Sequence, residues 1–170
     1  MTTTPTTLLL DAFGRVREDL PGLLDRLDDQ ALTWRPDADA NPVGWLVWHL
    51  TRVQDDHLAG LAEVEQVYTS QGFVGRFGLP YDVGDVGYGQ SSEDVAAFRA
   101  TTGDLLDYHA ATHQLTEQVL EGLGPDDLER VVDERWDPPV TAAVRLVSVV
   151  NDVTQHLGQA AYVRGLLDRR

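Results

Sequence analysis

Four long stretches of this chain place apolar residues at intervals of three and four, and that spacing lets an α-helix bury one side. The first carries Leu9, Phe13, Val16, Leu20, Leu23, Leu24 and Leu27, which predicts a helix over 6–27. Pro21-Gly22 inside it predicts a kink or a break, because proline has no N–H and its ring crowds the preceding turn. The second opens at Asn41-Pro42, a cap residue with proline in the first turn. It turns Leu46, His49, Leu50, Val53, His57 and Leu61 inward and continues to about Tyr68. The third begins at "SSED", with Ser91 and Asp94 at capping-box spacing. It runs through Val95, Phe98, Leu105, Leu106, His109, His113 and Val119 to Gly122. The last starts with Asp137 as cap and Pro138-Pro139 in its first turn, then follows Val144, Val149, Val153, Ala160 and Val163 to about Leu167. Rods with one apolar face must bury it against one another, so the expected fold is all-α, a four-helix bundle. The 170 residues fit one domain, residues 1–170. The run around Val131 is a weak strand candidate. Residues 69–90 hold six glycines and four aromatics without a sustained period, which predicts a long loop of the lid or binding kind.

Charge narrows the function. Formal net charge is −15, and the thirteen basic residues are all Arg. Nucleic-acid binding depends on neutralising phosphates, so a nucleic-acid role is not expected. The same field disfavours anionic membranes and favours cations, metals included. With no Cys, thiol nucleophiles, thiolate metal sites and disulfides are excluded together. The opening "MTTTPTTLLLDAFGRVRED" has neither a signal-peptide core nor a membrane span, so the expectation is a cytoplasmic protein.

Polar residues on the apolar stripes are where chemistry is expected. Val149, Asp152, Val153, His156, Ala160 and Val163 fall on one face of the last helix, and Asp152 and His156 stand one turn apart. In "WLVWHLTRV", His49 sits between Leu46, Leu50 and Val53 and also faces inward. Two imidazoles and a carboxylate are a first shell for a divalent ion. A second reading fits the spacing equally well: Asp152 accepts a hydrogen bond from His156 or His49, making a satisfied polar pair in the core.

The segments "NPVGWLVWHLTRVQDDHLAG", "DVGYGQSSEDVAAF" and "RWDPPVTAAVRLVSVVNDVTQHLGQAAYVRG" resemble the DinB-like four-helix superfamily over essentially the whole chain. The nearest likeness is to actinobacterial members related to mycothiol-dependent maleylpyruvate isomerase and mycothiol S-transferases. The ending from His156 to Gly165 is its most specific part. The resemblance implies a divalent metal in the bundle, held by one His of the second helix and two residues four apart on the last. Those positions match His49, Asp152 and His156. The chain departs at Asp152, where many relatives have His and the isomerase has Glu. Zn is the first expectation, with Ni, Fe or Mn as alternatives.

The expected function is a metal-dependent thiol S-transferase or isomerase that activates a low-molecular-weight thiol, mycothiol by resemblance, against a small electrophile. The alternatives are a non-catalytic metal- or small-ligand-binding protein, a hydrolase using metal-bound water, and a metal-free bundle whose polar core fixes register. A homodimer is allowed, not required. Arg52, three residues after His49, and Arg164 in "YVRG" are candidate contacts for an anionic part of the substrate or cofactor, against the alternative of salt bridges. His109 and His113 form a rival i, i+4 pair near Asp107 and Glu117, read otherwise as partly buried or surface histidines. His57 lies eight residues beyond His49, about 12 Å along a helix, too far to share an ion with it. Asp56 is expected to be an exposed charge and Ser148 a small core residue. Trp34, Trp45, Trp48 and Trp136 are read as packing; Tyr88, with Phe73, Phe77 and Tyr81, as lid or pocket.

Overall fold

A computed structural model of the protein describes residues 3–170. Four long helices dominate it: α1 (Pro5–Leu24), α3 (Val43–Ala62), α7 (Thr102–Gly122) and α9 (Ala142–Leu167). Short helices join them: α2 (Asp29–Thr33), α4 (Val67–Ser70), α5 (Phe73–Phe77), α6 (Ser92–Ala97) and α8 (Pro125–Leu128). A two-stranded antiparallel hairpin, β1 (Val131–Asp133) and β2 (Val140–Thr141), pairs Val131 with Thr141 and Asp133 with Val140. α3 and α1 stand on opposite corners, each packing on both α7 and α9. The fold is therefore the expected all-α bundle. Among the described residues no helix is long and apolar enough to cross a membrane.

Several boundaries differ from the sequence reading for identifiable reasons. α1 runs unbroken through Pro21 to Leu24, because Pro21 and Gly22 face solvent while Leu20 and Leu24 stay in the core. α3 begins at Val43 after Pro42, with no side-chain cap from Asn41, and ends at Ala62, where Glu63 takes a left-handed φ of 57°. The chain turns there so that the backbone N–H groups of Val67 and Tyr68 can each donate at 2.8 Å to the buried carboxylate of Asp55. The third helix is split. Ser91 and Asp94 do form the capping box of α6, but Thr101 caps α7 afresh from Asp104, and fully buried Phe98 fills the gap. Pro138 and Pro139 belong to the hairpin, and α9 starts later, capped by Thr141. The weak strand signal at Val131 is real, as β1.

The 69–90 segment is partly helical. Phe73 and Phe77 are buried against Tyr68 and Tyr108, with ring centroids 4.9 Å apart for Phe73 and Tyr108, so they are core rather than pocket. Tyr81 packs on Trp48 and its hydroxyl donates to the Asp94 carbonyl at 2.8 Å. Tyr88 is exposed.

His109 and His113, read from the sequence as partly buried or surface histidines, are instead each only 2% exposed. His109 Nδ1 lies 3.2 Å from Thr51 Oγ1, and its Nε2 has no partner among the described residues. Burial, with help from His113 and Arg17, pushes its pKa down to about 3 from 6.5. The unfolded chain therefore takes up a proton near pH 6.5 that the folded chain refuses. Stability falls as pH drops below 6.5, by about 2 kcal/mol at pH 5 from this one group. Urea melts at pH 7 and pH 5 check it: His109→Gln is expected to flatten the difference by that amount, and an unchanged slope would refute the assignment.

Candidate metal centre

The seam between α3 and α9 brings the three sequence candidates together. His49, Asp152 and His156 each offer one ligand atom, and these atoms lie within 4.8 Å of one another. His49 is buried and the other two are partly exposed. The two imidazole rings meet edge to face at 4.5 Å.

Both rings are oriented from behind. His49 Nδ1 donates to the Val86 carbonyl, and His156 Nδ1 lies 2.9 Å from Gln159 Oε1, an acceptor. With Nδ1–H engaged on each ring, the Nε2 lone pairs face the centre. Such partners fix tautomer and ring direction in metal-binding histidines. Trp45 stacks on His49 at 4.8 Å and 7°, and its indole N–H donates to Gln90 Oε1 at 2.8 Å. Asp152 Oδ2 lies 3.6 Å from His156 Nε2, whereas Oδ1 is buried with no hydrogen-bond partner among the described residues. An unpartnered buried carboxylate oxygen is costly, and a cation there would satisfy it. Two aimed imidazoles beside it are a donor set that fits Zn²⁺ or a similar divalent ion.

Electrostatics agree with that reading. Asp152 raises the His156 pKa, outweighing burial, so the spot favours positive charge. Burial lowers the His49 pKa, partly offset by Val86, which keeps that ring neutral and its lone pair available.

The inner wall of the centre is backbone. Gly87 has φ +94°, and a Cβ there would stand 2.8 Å from His49 Nδ1 and 2.9 Å from Trp45 Cζ2. Only glycine fits. Gly87→Ala is expected to push the 86–90 segment off α3 and free the His49 ring. The expected cost is about 1–3 kcal/mol in stability and about 10–100-fold in metal affinity. Thermal melts and a metal titration measure both; wild-type metal affinity would show that this wall does not hold His49.

The other candidates have different places. Arg52 has no exposed surface; Nε donates to the Asp85 carbonyl at 3.1 Å, Nη1 to Gln66 Oε1 at 2.7 Å, and Nη2 to the Val83 carbonyl at 3.3 Å. Arg164 holds α9 to the end of α1, donating from Nη1 to the carbonyls of Leu23 and Asp25 and from Nε to Asp168. Both arginines are engaged by the protein itself, so neither is a free anion contact in this structure. His57 is not one of the three grouped residues; its Nδ1 lies 3.4 Å from Asp56 and its Nε2 3.5 Å from Arg145 Nη1, and Asp152 is near enough to act on its pKa. Asp56 also accepts from Gln66 at 2.7 Å, so it is not a bare surface charge. Asp107 pairs with Arg76, and Glu117 with His113. Ser148 is exposed and donates to the Val144 carbonyl. Trp45 and Trp48 are buried, while Trp136 is 64% exposed on the hairpin.

Sequence reasoning passed over Gln159, Val86 and Gly87. Gln159 had a signal, an amide three residues after His156 on the same helix side. Gly87 had only its place among the six glycines of the 69–90 segment, and a carbonyl such as that of Val86 leaves no trace in a sequence.

The architecture is a helical bundle whose α3–α9 seam carries a His-Asp-His group that could hold a divalent cation. The chain belongs to the DinB superfamily, whose family model matches residues 12–160; that superfamily includes metal-binding members. It is also similar to a crystal structure described as a conserved protein of locus from Enterococcus faecalis. The two share 30% identity with a TM-score of 0.91, over 99% of this chain and 100% of that one. No curated protein matches the chain.

Proposed function

We propose that this protein is a metal-dependent thiol S-transferase-like enzyme. In this reading a low-molecular-weight thiol, mycothiol in the first instance, is joined to a small electrophile. His49, Asp152 and His156 hold the divalent ion, Zn²⁺ foremost. The observation that carries it is the unpartnered Oδ1 of Asp152 beside two imidazoles whose Nδ1–H groups are engaged elsewhere. Three protein ligands leave room for a guest, as in catalytic rather than structural zinc sites. A divalent ion so held supplies positive charge that favours thiolate over thiol.

The chain's own residues do the rest. Trp45 and the 86–90 segment pack on the His49 ring and hold it in place. One carboxylate and two neutral imidazoles leave a net positive charge on a dication, so an anionic sulfur is attracted. The chain has no Cys, hence the sulfur must come from outside. Membership of the superfamily supports the metal, and the "HLGQAAYVRG" ending supports kinship with the mycothiol enzymes.

The test is conjugation of an electrophilic dye by mycothiol and by glutathione, with untagged protein before chelation, after it, and after Zn²⁺ is restored. Turnover that chelation abolishes and metal restores is expected. Metal-loaded protein that is inert with every thiol would replace the enzyme by a binding protein. Ester or amide hydrolysis in place of conjugation would make it a hydrolase.

A further inference from the structure

We propose that the outer face of α9 pairs two copies of this chain, antiparallel about a two-fold axis that passes between Asn151 and Thr154. The pairing is independent of the thiol reading.

Charge singles out the face. Ten residues of α9 are exposed between Val144 and Tyr162, and none of them is charged. The charged residues of that span turn elsewhere. Arg145 donates to Asp133 of the hairpin, and Asp152 and His156 join His49 in the α3–α9 seam. The chain carries 13 basic and 28 acidic residues, for a net charge of −15. An uncharged strip about 27 Å long is where two such copies touch with least repulsion. One end of the strip is apolar, with Val147 66% and Val144 50% exposed. Beside it runs a groove of about 350 Å³ between α1 and α9, lined by Leu9, Val147, Val150, Asn151 and Thr154. The ten residues expose on the order of 700 Å², close to the 800 Å² or so per partner of a standard interface.

The order of residues along the strip says which partner fits. Val144, Val147, Asn151, Thr154, Gly158 and Ala161 recur at intervals of three and four, the spacing of a seam between two paired helices. Large side chains fill the first part and small ones the last. A parallel copy would set Val147 on Val147 and Gly158 on Gly158, crowding one end and leaving a gap at the other. An antiparallel copy sets Val147 on Gly158, Val144 on Ala161 and Asn151 on Thr154, each pair occurring twice by symmetry. Gly158 suits that place. It lies in a helix interior, where glycine is unfavourable, and within one copy a Cβ there would meet no atom within 4 Å. Nothing in the single chain demands glycine, whereas a facing Val147 does. A basic partner, by contrast, would find its counter-charges on the acidic remainder of the surface and not on this strip.

The experiment is sedimentation of the full, untagged chain over a dilution series, at low and raised salt. A dimer is expected, and salt should tighten it by screening the repulsion between two acidic copies. Val147→Glu puts a charge into the seam and is expected to weaken pairing at least about tenfold. Its circular dichroism and Zn²⁺ affinity should stay at the wild-type values, because Val147 is exposed in the single copy. Gln114→Glu, the same change on an exposed position of α7, should leave the dimer intact. Because the chain has no Cys, introduced thiols report the register alone. Val147→Cys chains mixed with Gly158→Cys chains are expected to form the mixed disulfide in preference to either self-pair. A preference for the self-pairs would overturn the antiparallel arrangement. Wild type that stays monomeric throughout, or Val147→Glu that pairs as wild type does, would overturn the face as a site for a second copy, whatever other protein binds it.

Discussion

Replacing Arg52 with alanine is expected to destabilise the protein by about 3–5 kcal/mol, among the largest effects of any single substitution here. The reason is the group it leaves behind. Asp55 has no exposed surface and lies 3.7 Å from the Arg52 guanidinium. Its carboxylate accepts from the N–H groups of Val67 and Tyr68 and from the Tyr108 hydroxyl, each at 2.8 Å. Burial already raises the Asp55 pKa, and Arg52 is one of the groups that lower it. Without the guanidinium a buried carboxylate stands without its counter-charge. The substitution also removes the donors to the carbonyls of Asp85 and Val83, next to Val86, which orients His49. Metal affinity should therefore fall along with stability, although Arg52 is no ligand. Arg52→Lys keeps charge and loses the planar fork, and should fall between. Urea denaturation and a metal titration on the three proteins decide it. A variant of wild-type stability with only a raised KM would return Arg52 to the role of a substrate contact.

Asp152→Ala is expected to do something unusual for a half-buried polar residue. Metal-free protein should keep its stability or gain by about 1 kcal/mol, because an unsatisfied buried oxygen disappears. Metal-loaded protein should lose the stabilisation that binding confers, about 2.7 kcal/mol at an ion concentration 100 times Kd. The competing reading, a satisfied Asp-His pair, predicts the reverse: loss in metal-free protein and no metal effect. pH separates the two further. Asp152 raises the folded-state pKa of His156, so the pair contributes stability below the unfolded imidazole value and loses it as pH rises through the raised one. Once pH has risen past that raised value the proton is gone and the metal term stands alone. Melts over a series of rising pH, with and without Zn²⁺, measure it. A metal-independent loss in Asp152→Ala would remove the centre as drawn.

How far the sequence could be read depends on the range of the forces behind each feature. The stripes of Leu9 to Leu24 and Val149 to Val163 are period-3.6 patterns, local and repeated, and the helices they imply are present. The break at Phe98–Thr101 was missed because Phe98 continues the apolar rhythm while serving as a plug between α6 and α7. The hairpin was nearly missed because five strand residues carry almost no pattern. Arg52 was misleading, since nothing local distinguishes an arginine aimed at a ligand from one aimed at carbonyls 31 and 33 residues away.

Alone, the sequence determined that this chain forms amphipathic rods, that it has no sulfur nucleophile, and that Asp152 and His156 lie one turn apart on a buried stripe. Those properties follow from spacing along one helix and from composition. Tertiary structure decided that His49 stands level with them across the α3–α9 seam and that Gly87 and Val86 press against its ring. Register between helices is set by side-chain packing summed over whole faces, and no single stretch of chain contains that sum.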